Sequence, residues 1–288
     1  MAPARTALLT LLALLAFAGN SLLCRAALAG TAIDAASFTG LRLLSGAVVL
    51  WLLVQLRGGT RGAAGNWPSA LALFVYAAGF SFAYTQLTAG TGALILFAAV
   101  QTTMIGYGWH QGERLRILQY AGLILACGGL AGLLMPGVSS PPLAGGLLML
   151  AAGVAWGIYS LRGRYSNDAL NVTAGNFIRT VPMAAVLSVV LLSQTSWDSR
   201  GILYAILSGA LASGVGYALW YTALPFLKST SAASVQLSVP LIAAAAGAIL
   251  LGESLTMRLL VASAAILGGI ALVLFNGNRA KQASTQKA

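Results

Sequence analysis

The chain has 288 residues, of which 59% are hydrophobic and 7% charged, and its mean hydropathy is +0.87. A soluble domain carries about 25% charged residues, which excludes water as the main solvent. The net charge of +11 does not mark a nucleic-acid binder, because the basic residues lie singly or in pairs between apolar blocks and form no face that could track phosphates.

The apolar blocks are about 20 residues long, enough for a helix rising about 1.5 Å per residue to cross roughly 30 Å of hydrocarbon. Lipid offers the backbone no hydrogen-bond partner, and apolarity without alternation is wrong for a barrel, so an all-α integral membrane protein is predicted. Breaks at Gly, Pro, Ser and charge predict ten spans, near 5–23, 33–55, 68–88, 91–109, 116–134, 142–161, 171–193, 201–224, 230–251 and 258–275. The first has no small-residue cleavage site followed by a polar segment, and is expected to be retained rather than removed as a signal peptide. Cys24 and Cys127 lack CxxC or Cys/His spacing and read as packing residues, so no metal or cofactor is expected.

Placing both termini in the cytoplasm leaves Arg25, Arg200 and Arg258 outside, Arg42 and Arg179 within spans, and the other eleven of the 16 Lys and Arg inside. Membrane insertion retains Lys and Arg on the cytoplasmic side, so this orientation is expected in a bacterial-type inner membrane.

The two halves also share an ordered set of residues. Gly112-Glu113 matches Gly252-Glu253, and Gly128-Gly129 matches Gly268-Gly269, at a spacing of 140. At a spacing of 137, Arg42 matches Arg179, Gly79 matches Gly216, and Tyr84-Thr85 matches Tyr221-Thr222. Five spans per half is an odd number, so the second half enters the membrane from the opposite face. Two inverted five-helix repeats are expected, 1–138 and 139–278, followed by a cytoplasmic tail at 279–288. Inverted repeats suit secondary transporters, whose equivalent halves can exchange inward-open and outward-open conformations around a midplane site.

This pattern resembles the drug/metabolite transporter superfamily, in its ten-helix branch of paired EamA-type repeats. The resemblance rests on the Gly-Glu pairs closing spans 4 and 9, the Arg of spans 2 and 7, Trp156-Gly157 and Pro240. The chain departs from the family where Ala18-Gly19-Asn20 stands in place of a common Trp-Gly, and where Val100 stands opposite Pro240, so span 4 is expected to bend less than span 9. Within the superfamily the chain is most similar to YddG-type exporters of aromatic and other neutral amino acids. The resemblance implies a basket in which spans 1, 3, 4, 6, 8 and 9 line a cavity and spans 5 and 10 lie at the periphery.

A polar solute must find partners inside the membrane, so polar and aromatic residues within spans are the candidates. Tyr76, Phe80 and Tyr84 recur at i, i+4 and i+8 on one face of span 3, and Tyr217, Trp220 and Tyr221 occupy span 8. Two aromatic walls would face each other, completed by Phe97 and Gln101 in span 4, Trp156 and Tyr159 in span 6, and the amide of Asn20 in span 1. The alternative is that these rings are packing residues or interfacial anchors, the preferred reading for Trp51, Trp67, Trp109 and Trp197 near span ends. Arg42 and Arg179 are expected to tether or gate helices, and Pro240 to bend span 9. Glu113 and Glu253 are read as caps or ion pairs beside Arg114 and Arg258, and His110 as a solvated residue.

All five acidic residues lie outside span interiors, and no nucleotide-binding loop is present. The expectation is therefore a non-enzymatic, monomeric secondary transporter that exports neutral, aromatic amino acids or similar metabolites by facilitated transport or exchange, with the bilayer and a small molecule as its partners. A multidrug exporter and, from another class, an integral membrane enzyme acting on lipid are the alternatives. A green fluorescent protein fused to the C-terminus is expected to fluoresce and a fused alkaline phosphatase to be inactive; the reverse pattern overturns the orientation.

Overall fold

A computed structural model describes residues 2–58, 64–112, 115–163, 168–227 and 229–285. Arg61, Glu113, Arg114, Arg164, Lys228 and Lys287 lie outside the described residues. Among those described, ten helices are long and apolar enough to cross a membrane, and there is no strand.

Spans 1 to 7 are single helices: Pro3–Gly30, Ala35–Leu56, Trp67–Tyr84, Ala89–His110, Ile117–Leu134, Leu143–Gly163 and Ala169–Val190. Span 8 is composite, an α-helix at Ser199–Leu207, π-helical turns at Ser208–Val215, a second α-helix at Gly216–Ala223 and a 3-10 turn at Leu224–Phe226. Span 9 is split into Ser229–Gln236 and Ser238–Leu251, and span 10 is Met257–Thr285. Span 1 runs past its expected end at residue 23, which puts Arg25 inside the helix rather than in a loop.

The helix ends follow local chemistry. Asp34, Asn66, Thr88, Asp168 and Asp198 are N-caps whose side chains accept first-turn backbone N–H groups. Gly112 and Gly252 follow spans 4 and 9 at φ +88° and +67°, the left-handed region that favours glycine. Pro240 has no N–H to donate to the carbonyl of Gln236, and span 9 breaks at Leu237 just before it. Span 4, with Val100 in the corresponding place, is continuous.

Helix packing has the symmetry of an exchanged pair of halves. Span 3 packs on span 6 as span 8 packs on span 1, span 4 packs on span 6 as span 9 packs on span 1, and spans 2 and 7, 4 and 9, and 5 and 10 pack on each other. The halves are inverted. Asp34, at the start of span 2, accepts the N–H of Ser196 beyond the end of span 7 (2.9 Å), while Asn66, beyond the end of span 2, donates its N–H to Asn176 near the start of span 7 (3.0 Å). Spans 2 and 7 are thus antiparallel although they carry matching arginines. Burial pushes the Asp34 carboxyl up, but hydrogen bonds from Ser37, Ser196 and Ala36 outweigh it and hold the group below its ordinary value. This clasp is therefore intact above the usual carboxylate pKa of about 3.9 and is lost as pH falls through the lowered value.

Spans 5 and 10 meet through the matched glycines. A Cβ at Gly129 would meet Ala265 and Ile266 of span 10, and one at Gly269 would meet the Gly122 carbonyl and Ala126 of span 5, whereas Gly128 and Gly268 face open space. Close backbone approach of this kind replaces the hydrophobic drive that lipid cannot supply. Gly269→Ala is expected to cost about 1–3 kcal/mol by forcing the two backbones apart, and Gly268→Ala to be neutral or slightly stabilising. Thermal unfolding of the two variants in detergent checks this, and equal midpoints would show that the glycine contact contributes nothing.

Candidate functional site

The aromatic residues of both halves converge. On span 3 the i, i+4, i+8 spacing sets Tyr76 at a tilt against Phe80 (ring centroids 5.4 Å apart) and Phe80 edge-to-face with Tyr84 (4.7 Å). Trp156 of span 6 lies 4.7 Å from Tyr76 and stacks on both Tyr159 (5.3 Å) and Tyr217 of span 8 (5.3 Å, 21° between planes). Tyr217 in turn touches Phe17 of span 1, Phe177 of span 7 and Tyr221, and Phe17 touches Trp220. Trp156 is thus the bridge between the two walls, and each ring pair is worth about 0.5–1.5 kcal/mol beyond its area.

A polar network runs through these rings. Arg42 is 1% exposed; its guanidinium carbon sits 4.7 Å from the Phe80 ring centroid and 5.2 Å from that of Tyr76, and its Nη2 donates to Tyr76 Oη (3.0 Å). Asn20 Nδ2 also donates to Tyr76 Oη (3.3 Å), and Ser208 Oγ donates to Asn20 Oδ1 (2.6 Å). Ser208 opens the π-helical turns of span 8, and the neighbouring Gly209 lies against the carbonyl of Arg42, where a Cβ would collide. The widened turn lets span 8 approach span 2 while presenting a hydroxyl to span 1.

Not every candidate joins this cluster. Phe97 (8% exposed) and Gln101 (4%) are buried in span 4, but among the described residues neither makes a ring contact or a hydrogen bond with it, and spans 4 and 9 supply no ring to it. Tyr84 Oη donates to the Ala89 carbonyl (3.2 Å), and Tyr159 Oη to Thr173 (3.4 Å), so these rings are anchored at the two ends of the cluster. Arg179, the repeat counterpart of Arg42, lies midway along span 7 and donates to the carbonyls of Ala64 (3.0 Å) in the 2–3 connection and Gly175 (2.8 Å). Pro240 is buried at the break in span 9. Trp51, Trp67, Trp109 and Trp197 are all exposed, as is His110.

One face of the bundle carries the 1–2, 3–4, 5–6, 7–8 and 9–10 connections; we call it the far face, opposite the termini. There Arg25 Nε pairs with Glu253 Oε1 (2.9 Å), Arg25 Nη1 donates to the Tyr84 carbonyl (3.1 Å), and the Ala89 N–H donates to Glu253 Oε2 (2.8 Å). Spans 1, 3, 4 and 9 are thereby tied together directly beyond the aromatic cluster. The partner of Glu253 is Arg25 from the other half, not Arg258 as its sequence position suggested. Arg258 instead turns toward Gly137 at the 5–6 connection.

The sequence reading missed Phe17, Phe177 and Ser208. Phe17 and Phe177 carry no spacing signal, each being a lone ring in its stretch of span. Within the predicted span 8, Ser208 is one of three Ser or Thr residues, with Ser213 and Thr222, and no composition marks a π-helical turn. An Arg in span 2 and an isolated amide in span 1 were the usable signals, because both demand partners inside lipid.

Residues 143–275, within the second half, match the EamA-like transporter family. An uncharacterized protein of Pseudomonas aeruginosa is 59% identical over 94% of both chains. The threonine/homoserine exporter RhtA of Escherichia coli is 34% identical over 53% of both chains. A probable amino-acid metabolite efflux pump of Salmonella typhimurium is 27% identical over 66% of this chain and 68% of its own length.

The far-face clasp predicts a labelling pattern. Cys24 is buried next to Arg25, and Cys127 is exposed on the bundle surface. In a Cys127→Ser background, Arg25→Ala is expected to raise the rate at which a membrane-impermeant maleimide modifies Cys24 by at least about tenfold, because breaking a partly buried pair leaves an uncompensated charge. An unchanged rate would show that the pair does not close this face.

Proposed function

We propose that this chain, which belongs to the EamA-like transporter family, exports neutral amino acids with apolar or aromatic side chains by alternating access between its two halves. The observation that carries the reading is the ring cluster built from both halves and threaded by the Arg42–Tyr76–Asn20–Ser208 network. Amino acids are favoured as a class by two relatives, one a threonine/homoserine exporter and the other a probable amino-acid metabolite efflux pump. The preference for large apolar side chains follows from the rings: Trp156, Tyr76, Phe80 and Tyr217 can cover an apolar group, and Tyr and Trp keep a polar handle for a zwitterion.

The cycle separates the halves at their shared surface. Trp156 and Tyr217 unstack, the helices bend at the span 9 break near Pro240 and at Gly79 and Gly216, and the Arg25–Glu253 clasp opens when the far face admits solvent. No Asp or Glu lies in a span interior, so the gradient of the solute drives flux, alone or in exchange. The protein acts as a monomer in a bacterial-type inner membrane with both termini cytoplasmic.

The second reading, a multidrug exporter, is disfavoured by the same cluster. A buried guanidinium repels the lipophilic cations such exporters carry, and among the described residues no carboxylate pairs with it to reverse the sign. Proteoliposomes loaded with threonine, leucine or phenylalanine are expected to release at least one of them faster than empty-protein controls. Flux of lipophilic cations with none of any neutral amino acid overturns the proposal. Trp156→Ala is expected to shift the phenylalanine-to-threonine flux ratio by about tenfold or more, where a mere packing role would lower protein yield and leave the ratio unchanged.

A further inference from the structure

We propose that Arg42 and Tyr76 form the seat for the carboxylate of the transported amino acid; this deepens the export reading and rests on it. A guanidinium keeps its charge at any accessible pH, and a buried, unpaired charge is among the costliest groups a protein can hold. Arg42 is 1% exposed, yet among the described residues the single ion pair is Arg25–Glu253 on the far face. Asp34, the N-cap of the same helix, is occupied by the backbone N–H groups of Ala36, Ser37 and Ser196. The charge of Arg42 is therefore met by ring faces and one hydroxyl, and by no anion.

Its donors are also incompletely used. Nη2 is spent on Tyr76, and Nη1 is buried without a hydrogen-bond partner. Tyr76 Oη accepts from both Arg42 Nη2 and Asn20 Nδ2, groups that can only donate, so the phenolic proton has no acceptor of its own. Ser208 donates to the other end of the Asn20 amide (2.6 Å) and holds that side chain against Tyr76. Phe80 and Tyr76 cover the guanidinium face, which leaves its edge for a ligand. Two unsatisfied donors, one of them charged, side by side on a rigid ring-backed edge match the two oxygens of a carboxylate. The seat occurs once, because Arg179 is spent on the Ala64 and Gly175 carbonyls.

The test uses the full chain in detergent and in proteoliposomes. Phenylacetate, which carries the carboxylate without the amine, is expected to raise the melting midpoint of the wild type, with chloride at equal concentration having little effect. Arg42→Met and Tyr76→Phe are each expected to bind phenylacetate about tenfold or more weakly, and to lose the preference for phenylalanine over phenylalaninamide. Binding of phenylacetate by Arg42→Met as tight as wild type, or stabilisation by chloride equal to that by phenylacetate, overturns the seat. Should Arg42→Met not fold, Tyr76→Phe, which removes one oxygen, decides by the same measurements. Arg42-dependent binding of phenylacetate without flux of any neutral amino acid would leave the seat standing and remove the export reading. Amino-acid flux with an acid-over-amide preference unchanged in both variants would do the opposite.

Discussion

A positive charge that cannot be neutralised, held 1% exposed within a ten-helix bundle, constrains everything packed around it. Arg42 cannot shed its proton as a buried lysine would, so its surroundings must supply electron density in some other form. Ring faces do this in the absence of a carboxylate, through attraction between the cation and the aromatic quadrupole. That requirement explains why Phe80 and Tyr76 stand over the guanidinium, and why the Tyr76 hydroxyl points at Nη2. It also explains the local irregularity of span 8, where Gly209 comes against the Arg42 carbonyl and Ser208 orients Asn20.

The packing is symmetric and the chemistry is not. Spans 5 and 10 meet through matched glycines, and spans 2 and 7 run antiparallel with matched arginines. Yet one arginine lies in the aromatic core and the other ties the middle of span 7 to the 2–3 connection. A carrier needs symmetry in its scaffold so that two states of similar energy exist, and asymmetry in its lining so that one solute is recognised. The two kinds of contact occupy different parts of the bundle, glycine pairs at the periphery and the polar network at the centre.

Charge placement serves the same division. Of the described acidic residues, Asp34, Asp168 and Asp198 cap helices and Glu253 stands at the end of span 9, where backbone N–H groups meet their carboxylates. Glu253 pairs across the halves with Arg25, the single ion pair among the described residues. The interior holds a guanidinium, amides, hydroxyls and rings.

Much of the architecture was legible because crossing a bilayer is a one-dimensional constraint. Each span must be about 20 residues long, caps such as Asp34 and Gly252 act within one turn, and a missing N–H at Pro240 breaks its own helix, so local residues determined the ten spans and the inverted halves, though not the end of span 1, which runs on to Gly30. Tertiary structure alone decided which side chains meet. Arg42 finds Tyr76 across 34 residues and Glu253 finds Arg25 across 228, passing over the adjacent Arg258. Helices that are apolar all round carry no stripe to reveal which face turns inward. The rotation of each span about its axis is therefore set by packing against its neighbours, and this rotation separated Tyr76, Phe80 and Trp156, which join the cluster, from Phe97 and Gln101, which do not.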